Sequence, residues 1–294
     1  MLTHRYISLA VSLLLVATVA QAQTEIGMNV GISFYEGDLG APTPIERLAI
    51  AKTSFGAYSR FDISDRLAFR LFVQSSKVQG SDANRPGSMT RNLSFESDIY
   101  ELGFMTEIYP FGTYQSFAPY FQAGVSVYRF NPTTEYNGRI EELQPLGTEG
   151  QGLPGFAPKY GLTRMAVPVG IGFRHQFGQN WIVGMQGAAR MLFFDHLDDV
   201  SGNYVNYNTL RSGEDLEGST GNGSLAAALG DRTGEFLGQE PRDIPSGTRR
   251  GDPTDNDWFY TATVTVGYRL GSGLFSAGKR RGSGASRYNK CYSF

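Results

Sequence analysis

The sequence has little cysteine, little net charge and, after its first 22 residues, no apolar run long enough to cross a bilayer as a helix. Cys291 is the one cysteine among 294 residues, so no disulfide can form within the chain. The formal net charge is −2, which gives no overall attraction to nucleic acid. A mean hydropathy of −0.26 excludes a bundle of membrane-spanning helices. The fold must therefore gain its stability without cross-links and without a helical membrane core.

Residues 1–22 have the layout of a secretory signal peptide. Arg5 precedes an apolar stretch over 7–20, and Ala20-Gln21-Ala22 has the small-residue pattern of a cleavage site. The apolar stretch is shorter than a membrane-spanning helix needs. We therefore expect export, with a mature chain that begins near Gln23. An uncleaved anchor is the alternative.

Alternation of apolar and polar residues is what the sequence has in abundance. In the first segment, Met28 and Val30 alternate with Asn29 and Gly31. Segments of this kind have about the length that a tilted strand needs to cross a bilayer. They lie at 26–35, 53–62, 67–74, 100–108, 121–128, 167–174, 181–193 and 258–269. The pattern predicts an all-β fold, a transmembrane up-and-down antiparallel β-barrel of about eight strands within residues 23–270.

The connections between these segments alternate strictly between short and long. The short ones are 62–65, 110–119 and 178–179, and the long ones are 36–50, 75–97, 131–164 and 198–257. Outer-membrane barrels have tight periplasmic turns and long extracellular loops. The alternation therefore predicts a place in the cell outer membrane, with both termini in the periplasm.

A soluble barrel or sandwich with its apolar face inside is the competing architecture. Two features favour the apolar face outside. The polar face carries charges of both signs that would pair in a narrow lumen, namely Arg60, Arg70, Glu101, Glu107, Arg174, Arg190 and Arg269. The apolar face ends in aromatic residues that suit a membrane interface, namely Phe34, Phe61, Trp181, Phe193, Trp258 and Tyr268. We expect a filled lumen rather than a diffusion pore.

Residues 271–294 form a basic tail that would hang in the periplasm. Its candidate docking residues are Lys279, Arg280, Arg281, Arg287, Tyr288, Lys290, Tyr292 and Phe294. Basic and aromatic side chains together favour docking to an acidic periplasmic partner. A solvated, partly disordered tail is the alternative. Cys291 would be a lone thiol there.

One acidic segment is the weak candidate for metal chemistry. Asp195, Asp198 and Asp199 flank His196 where the seventh strand ends, and carboxylates suit Ca²⁺ or Mg²⁺. Their spacing departs from that of a calcium loop, and a solvated loop entry is the alternative. His196 and Ser201 are the one local pair that a lipid hydrolase would need on this side. A pair close in sequence is weak evidence, so we predict no catalytic residue and no cofactor.

Four segments carry a family resemblance. They are 91–95 (RNLSF), 143–152 (LQPLGTEGQG), 195–201 (DHLDDVS) and 290–294 (KCYSF). With them the chain resembles the Bacteroidetes outer-membrane barrel family, the DUF6089 group, that includes PorG of the type IX secretion system. The resemblance implies a small barrel in outer-membrane lipid that contacts periplasmic secretion-ring proteins, a lipoprotein and its ring partner. It implies no enzymatic activity.

The leading hypothesis is therefore a non-enzymatic barrel that anchors periplasmic ring components of a type IX protein secretion and gliding machinery. A small-solute channel is the first alternative. A lipid-modifying outer-membrane enzyme is the second.

Overall fold

A computed structural model describes residues 24–113, 116–213, 223–242 and 244–270. The predicted signal peptide at 1–22 and the basic tail at 271–294 lie outside the described residues. The strands are β1 Thr24–Glu36, β2 Lys52–Ser64, β3 Leu67–Ser81, β4 Ser94–Ile108, β5 Phe117–Tyr136, β6 Arg139–Glu142, β7 Thr163–Phe177, β8 Trp181–Leu192 and β9 Trp258–Arg269. The helices are α1 Pro44–Ala49, α2 Tyr207–Ser212, α3 Gly223–Gly230 and α4 Thr233–Leu237, with 3-10 turns at Asp82–Asn84 and Met89–Arg91.

Eight of the strands form a closed antiparallel barrel. Their order around the sheet is β4-β3-β2-β1-β9-β8-β7-β5, and β4 also pairs with β5, which closes the ring. The first and last strands pair along their length, from Glu25 opposite Arg269 to Glu36 opposite Trp258. The short β6 pairs only with the far end of β5, as a hairpin outside the ring. The predicted up-and-down barrel is confirmed, and β6 is an addition that the sequence pattern did not reveal.

The outer face of the barrel is apolar and its inner face is polar. Met28 and Val30 on β1 are 70% and 63% exposed, whereas Arg60 and Glu107 on neighbouring strands are 1% and 0% exposed. A continuous apolar belt of this extent would be unfavourable in water. It suits the hydrocarbon core of a bilayer, where a closed barrel leaves no backbone group unpaired. The soluble architecture is therefore wrong, and the barrel is of the membrane-spanning kind.

The connections divide the barrel into two ends. The short links, 65–66, 109–116 and 178–180, share one end, which we call the turn end. The long links, 37–51, 82–93, 143–162 and 193–257, share the other, which we call the loop end. Both ends of the described chain, Thr24 and Leu270, meet at the turn end, where the Leu270 N–H donates to the Thr24 carbonyl at 2.8 Å.

The strands reach further into the loop end than the alternation predicted. The β3–β4 ladder continues to Ser81 opposite Ser94, so the link between these strands is 82–93 rather than 75–97. Ser75-Ser76-Lys77 contains no apolar residue, and without one the period-two pattern disappears although the backbone pairing continues.

The helices all lie in the long links. Helix α3 contains the run Leu225-Ala226-Ala227-Ala228-Leu229, whose residues have high helix propensity. Helix α1 begins with a capping box between Thr43 and Glu46. No helix in the described ranges is long and apolar enough to cross a membrane.

Aromatic pairs mark both ends of the apolar belt. Trp181 and Tyr268 pack edge to face at the turn end, with ring centroids 5.1 Å apart. Phe34 and Tyr260 stack toward the loop end, also at 5.1 Å. Amphipathic aromatic rings at these two levels suit the girdles of a membrane barrel.

Candidate functional site

Buried charges fill the lumen near the turn end. Glu107 on β4 accepts a hydrogen bond from Nε of Arg60 at 2.7 Å and forms an ion pair with Arg70, whose Nε lies 2.5 Å from its other carboxylate oxygen. The Tyr109 hydroxyl donates to the same carboxylate at 2.5 Å. Arg60 and Arg70 are direct partners across β2 and β3, so two like charges face each other in a space without solvent. Glu107 neutralises both and is the centre of the network.

Further ion pairs extend this network. Arg60 also contacts Asp62 at 2.7 Å, and Arg174 pairs with Glu25. Nearer the loop end, Arg190 pairs with Glu101 at 3.2 Å. The network contains four arginines and four carboxylates: Arg60, Arg70, Arg174, Arg190, Glu25, Asp62, Glu101 and Glu107. The predicted pairing in the lumen is confirmed. Arg269 stands apart, because its Nη1 donates to Gln176 at 3.2 Å.

Uncharged side chains fill the next levels of the lumen. Asn29 donates to Gln74 at 2.8 Å, and Gln74 donates to Ser54 at 2.6 Å. Above this chain the rings of Tyr128 and Phe259 pack with centroids 6.1 Å apart. Side chains thus fill the lumen as expected for an eight-stranded barrel.

The long links fold into a packed cap over the loop end. Apolar side chains from separate links form one cluster with the inward aromatic residues of the strands: Leu39, Leu93, Leu143, Leu197, Val200, Leu229, Tyr35, Phe95, Phe130 and Phe259. All of them are buried. The long links are therefore packed together rather than solvated, because they carry apolar residues that come into contact only in the folded chain.

Two of the segments that carried the resemblance meet inside this cap. The Thr148 hydroxyl donates to Asp199 Oδ2 at 2.5 Å, and the Tyr160 hydroxyl donates to Oδ1 at 2.6 Å. Glu149 Oε1 accepts the N–H of Ser201 at 3.1 Å. We call this contact between 148–152 and 197–201 the cap junction. It explains why both segments are rich in side chains that accept or donate hydrogen bonds.

Glycine gives the first segment its shape. Gly147 and Gly150 have φ angles of 67° and 83°, a region that side-chain-bearing residues rarely adopt. The tight turns there direct Thr148 and Glu149 toward the second segment.

Arg250 is a buried cation that sequence reasoning did not single out. Its Nη1 donates to Glu149 Oε1 at 2.9 Å and to the Asp199 carbonyl at 2.7 Å. Its Nε donates to the Gly230 carbonyl at 3.1 Å. Arg250 therefore ties the link 143–162 to separate parts of the link 193–257. The stretch Thr248-Arg249-Arg250-Gly251 gives no sequence signal for this role, since surface loops often contain such residues.

A pair of buried carboxyls shares one tyrosine beside the junction. The Tyr35 hydroxyl lies 2.7 Å from Asp198 Oδ2 and 2.5 Å from Asp257 Oδ1. A hydroxyl has one proton to donate, so one of these two contacts requires a protonated carboxyl. Burial raises the pKa of both Asp198 and Asp257, which agrees with a retained proton.

The neighbouring acids are also shifted. Burial raises the pKa of Asp195 to about 8 and that of Asp199 to about 6. Asp195 Oδ2 has no hydrogen-bond partner in the part of the chain that the structure describes. The three predicted ligands Asp195, Asp198 and Asp199 are 7%, 1% and 0% exposed, so a solvated loop entry is wrong.

The structure brings the predicted metal and hydrolase residues together only in part. Within the described ranges, no group of three or more His, Cys, Asp or Glu side chains has the arrangement of a metal site. The cation site at Asp195, Asp198 and Asp199 stays a prediction. His196 Nε2 lies 3.8 Å from Glu149 Oε2, and burial lowers the pKa of His196. The docking residues from Lys279 to Phe294 lie outside the described residues.

A protein-family model described as "Domain of unknown function (DUF6089)" matches residues 4–148, a little under half of the chain. This range contains the first resembling segment and most of the second. No curated protein matches the chain.

Several solved outer-membrane proteins are similar to the chain over most of its length. Neisserial surface protein A is 10% identical to this chain, and the match covers 84% of this chain and 97% of the solved one, with a TM-score of 0.39. Ail, the attachment invasion locus protein of Yersinia pestis, is 8% identical, covers 85% and 99%, and has a TM-score of 0.40. The outer membrane protein W of E. coli is 14% identical, covers 84% and 98%, and has a TM-score of 0.35. These TM-scores are below 0.5, so the fold assignment depends on the strand pairing and the exposed apolar face of this chain, which are those of an outer-membrane-type β-barrel.

Replacing Glu107 by Gln should destabilise the barrel. The change leaves the buried Arg70 without a carboxylate partner among the described residues and leaves Arg60 only Asp62 and Glu25, and breaking a buried ion pair costs about 3–5 kcal/mol. Urea unfolding of the refolded protein in lipid vesicles, followed by tryptophan fluorescence, measures the loss. Glu135→Gln at an exposed position of β5 is the matched control and should change stability by less than about 0.5 kcal/mol. Equal stabilities for the two variants would contradict the role of Glu107.

The cap should loosen as pH rises. A carboxyl whose pKa is raised by folding contributes stability that is complete below its unfolded pKa and is lost as pH rises through the folded pKa. With pKa values of about 6 for Asp199 and about 8 for Asp195, the loss should occur between about pH 4 and pH 8.

Hydrogen exchange of residues 195–202 at pH 5 and pH 9, corrected for the intrinsic exchange rate, measures this loosening. Protection should be lower at pH 9, while the β3–β4 ladder serves as the internal control. Equal corrected protection of 195–202 at both pH values would show that these carboxyls do not govern the cap.

Proposed function

We propose that this protein is a non-enzymatic anchor in the cell outer membrane that holds periplasmic ring components of a type IX secretion and gliding machinery. The observation that carries the proposal is the filled lumen under a packed cap. Four buried arginines balanced by four carboxylates occupy the space through which a channel would conduct. A barrel of this kind is suited to keeping a fixed place in the membrane and not to conducting solutes across it. The match of residues 4–148 to the DUF6089 model supports the kinship on which the secretion role depends.

Charge balance also argues for an anchor. A lumen that selects ions presents a field of one sign, whereas here cations and carboxylates neutralise one another at hydrogen-bond distance. Moving an ion through the lumen would require these ion pairs to separate in a space with little water. Separating a buried ion pair has a high free-energy cost. A barrel that only has to remain in place never needs to open these pairs.

The proposed docking element is the tail after β9. β9 ends at the turn end, beside the first residues of β1, so the chain leaves the barrel on the face with short links. In the proposed orientation this face is periplasmic. Lys279, Arg280, Arg281, Arg287 and Lys290 would attract an acidic surface, and Tyr288, Tyr292 and Phe294 would provide apolar contacts.

Removal of 279–294 should abolish recovery of periplasmic partners while the barrel still inserts. The measurement is a pull-down from solubilised outer membranes, with bound proteins identified by mass spectrometry. A variant that keeps the length but replaces 279–294 by Gly and Ser is the matched control for spacing, and it should fail in the same way. Undiminished recovery of the ring lipoprotein with either variant would contradict docking through the tail.

The wild-type protein should be electrically silent in planar bilayers. The balanced pairs around Glu107 occupy the lumen, so no continuous water path is expected. Single-channel recordings at several voltages test this expectation, with an open porin reconstituted in the same way as the positive control. Steady unitary conductance from the wild-type protein would contradict the anchor proposal and would favour a channel.

A further inference from the structure

A polar cavity of about 250 Å³ opens at the loop end, outside the lumen and the cap junction. Three long links line it with Asp38, Arg85, Ser88, Arg91, Arg249, Arg250 and Gly251. Four of these residues are arginines and one is an acid. Nothing in the anchoring role requires such a concentration of guanidinium groups at this end.

Three of the four arginines have carboxylate partners. Arg91 pairs with Asp82 at 2.6 Å, and Arg250 pairs with Glu149 at 2.9 Å. Arg249 pairs with Asp252, and its side chain remains 66% exposed. These pairs fix the walls of the cavity and leave little net charge at their own positions.

Arg85 is different because no carboxylate pairs with it within the described ranges. Its Nη1 donates to the carbonyl of Gly37 at 3.2 Å and to that of Asp38. Carbonyl oxygens hold a guanidinium in place but do not cancel its charge. The cavity therefore has one positioned cation whose charge is not neutralised.

Hydrogen-bond donors at the cavity are also left over. Nε and Nη2 of Arg85 and the Ser88 hydroxyl have no hydrogen-bond partner among the residues that the structure describes. The one acid of the lining is Asp38, whose Oδ2 accepts the Asp252 N–H at 2.8 Å. Burial also raises the pKa of this Asp38 carboxyl. Free donors around an unneutralised guanidinium match an anion with several acceptor oxygens.

We propose that this cavity binds the phosphate group of a polar ligand, with Arg85 as its main contact and with Ser88 and Arg249 as further donors. A planar guanidinium offers two parallel N–H groups to an oxyanion, and a tetrahedral phosphate has further oxygens for donors on other walls. The polar lining fits a sugar phosphate. The phosphate could come from a soluble molecule or from a phosphorylated glycolipid headgroup at the cell surface.

Calorimetric titration of the full-length protein in maltoside micelles tests the site. The probes are inorganic phosphate and glucose 6-phosphate, followed by vesicles with phosphorylated or dephosphorylated lipid A. We expect saturable binding of at least one phosphate-bearing probe. Arg85→Gln should weaken it about tenfold or more, because charge-assisted hydrogen bonds are lost. Arg249→Gln, at an exposed side chain, should weaken it less and provides a second variant that tolerates replacement.

Arg139→Gln is the matched control, since Arg139 is an exposed arginine on the β6 hairpin away from the cavity. Unchanged binding in this control together with loss in Arg85→Gln supports the site. Tighter binding of phosphorylated vesicles than of the sugar phosphate identifies the lipid as the source, and the reverse identifies a soluble ligand. Absence of saturable binding, or equal effects of Arg85→Gln and Arg139→Gln, would overturn the proposal. Pull-down and conductance are independent of this result, so the anchor proposal can fail or hold separately.

Discussion

Closure of the sheet is the constraint on which the rest of this structure depends. A strand in hydrocarbon has no water to satisfy its backbone, so the edges left by β4 and β5 must pair with each other, as they do from Glu96 to Ile108. Eight strands close into a ring whose interior is just wide enough for side chains. The apolar face can then point only outward, and polar side chains such as Arg60, Arg70 and Glu107 are directed into a narrow, poorly solvated space.

That geometry makes charge neutralisation a condition of folding in the lumen. The register between β2 and β3 places Arg60 directly opposite Arg70, an arrangement that water would tolerate and a closed lumen does not. Glu107 removes the conflict by forming ion pairs with both arginines. The same ion pairs fill the lumen, so the structural requirement and the proposed anchoring role have one physical cause.

The cap solves the burial of polar groups in a different way. Near Tyr35, two buried carboxyls share one hydroxyl, which requires one of them to keep a proton, and burial raises the pKa of both. Where arginine is available, as at Arg250, it ties links together through Glu149 and backbone carbonyls. On another side of the same cap, four arginines line a polar cavity, and Arg85 is the one that pairs with no carboxylate among the described residues. The loop end is thus an ordered surface on which separate polar sites can form.

The sequence by itself determined the barrel, the strand count, the outward apolar face and the alternation of short and long links, because a period of two and the length of a membrane strand are local properties of the chain. It also indicated which side chains face the lumen, since parity along a strand decides this. Only the tertiary structure decided which charges pair, how far β3 and β5 extend, and that 148–152 meets 197–201. Those contacts join residues far apart in sequence, such as Tyr35 and Asp257. A local pattern of residues does not indicate which distant residues will lie close together in the folded chain.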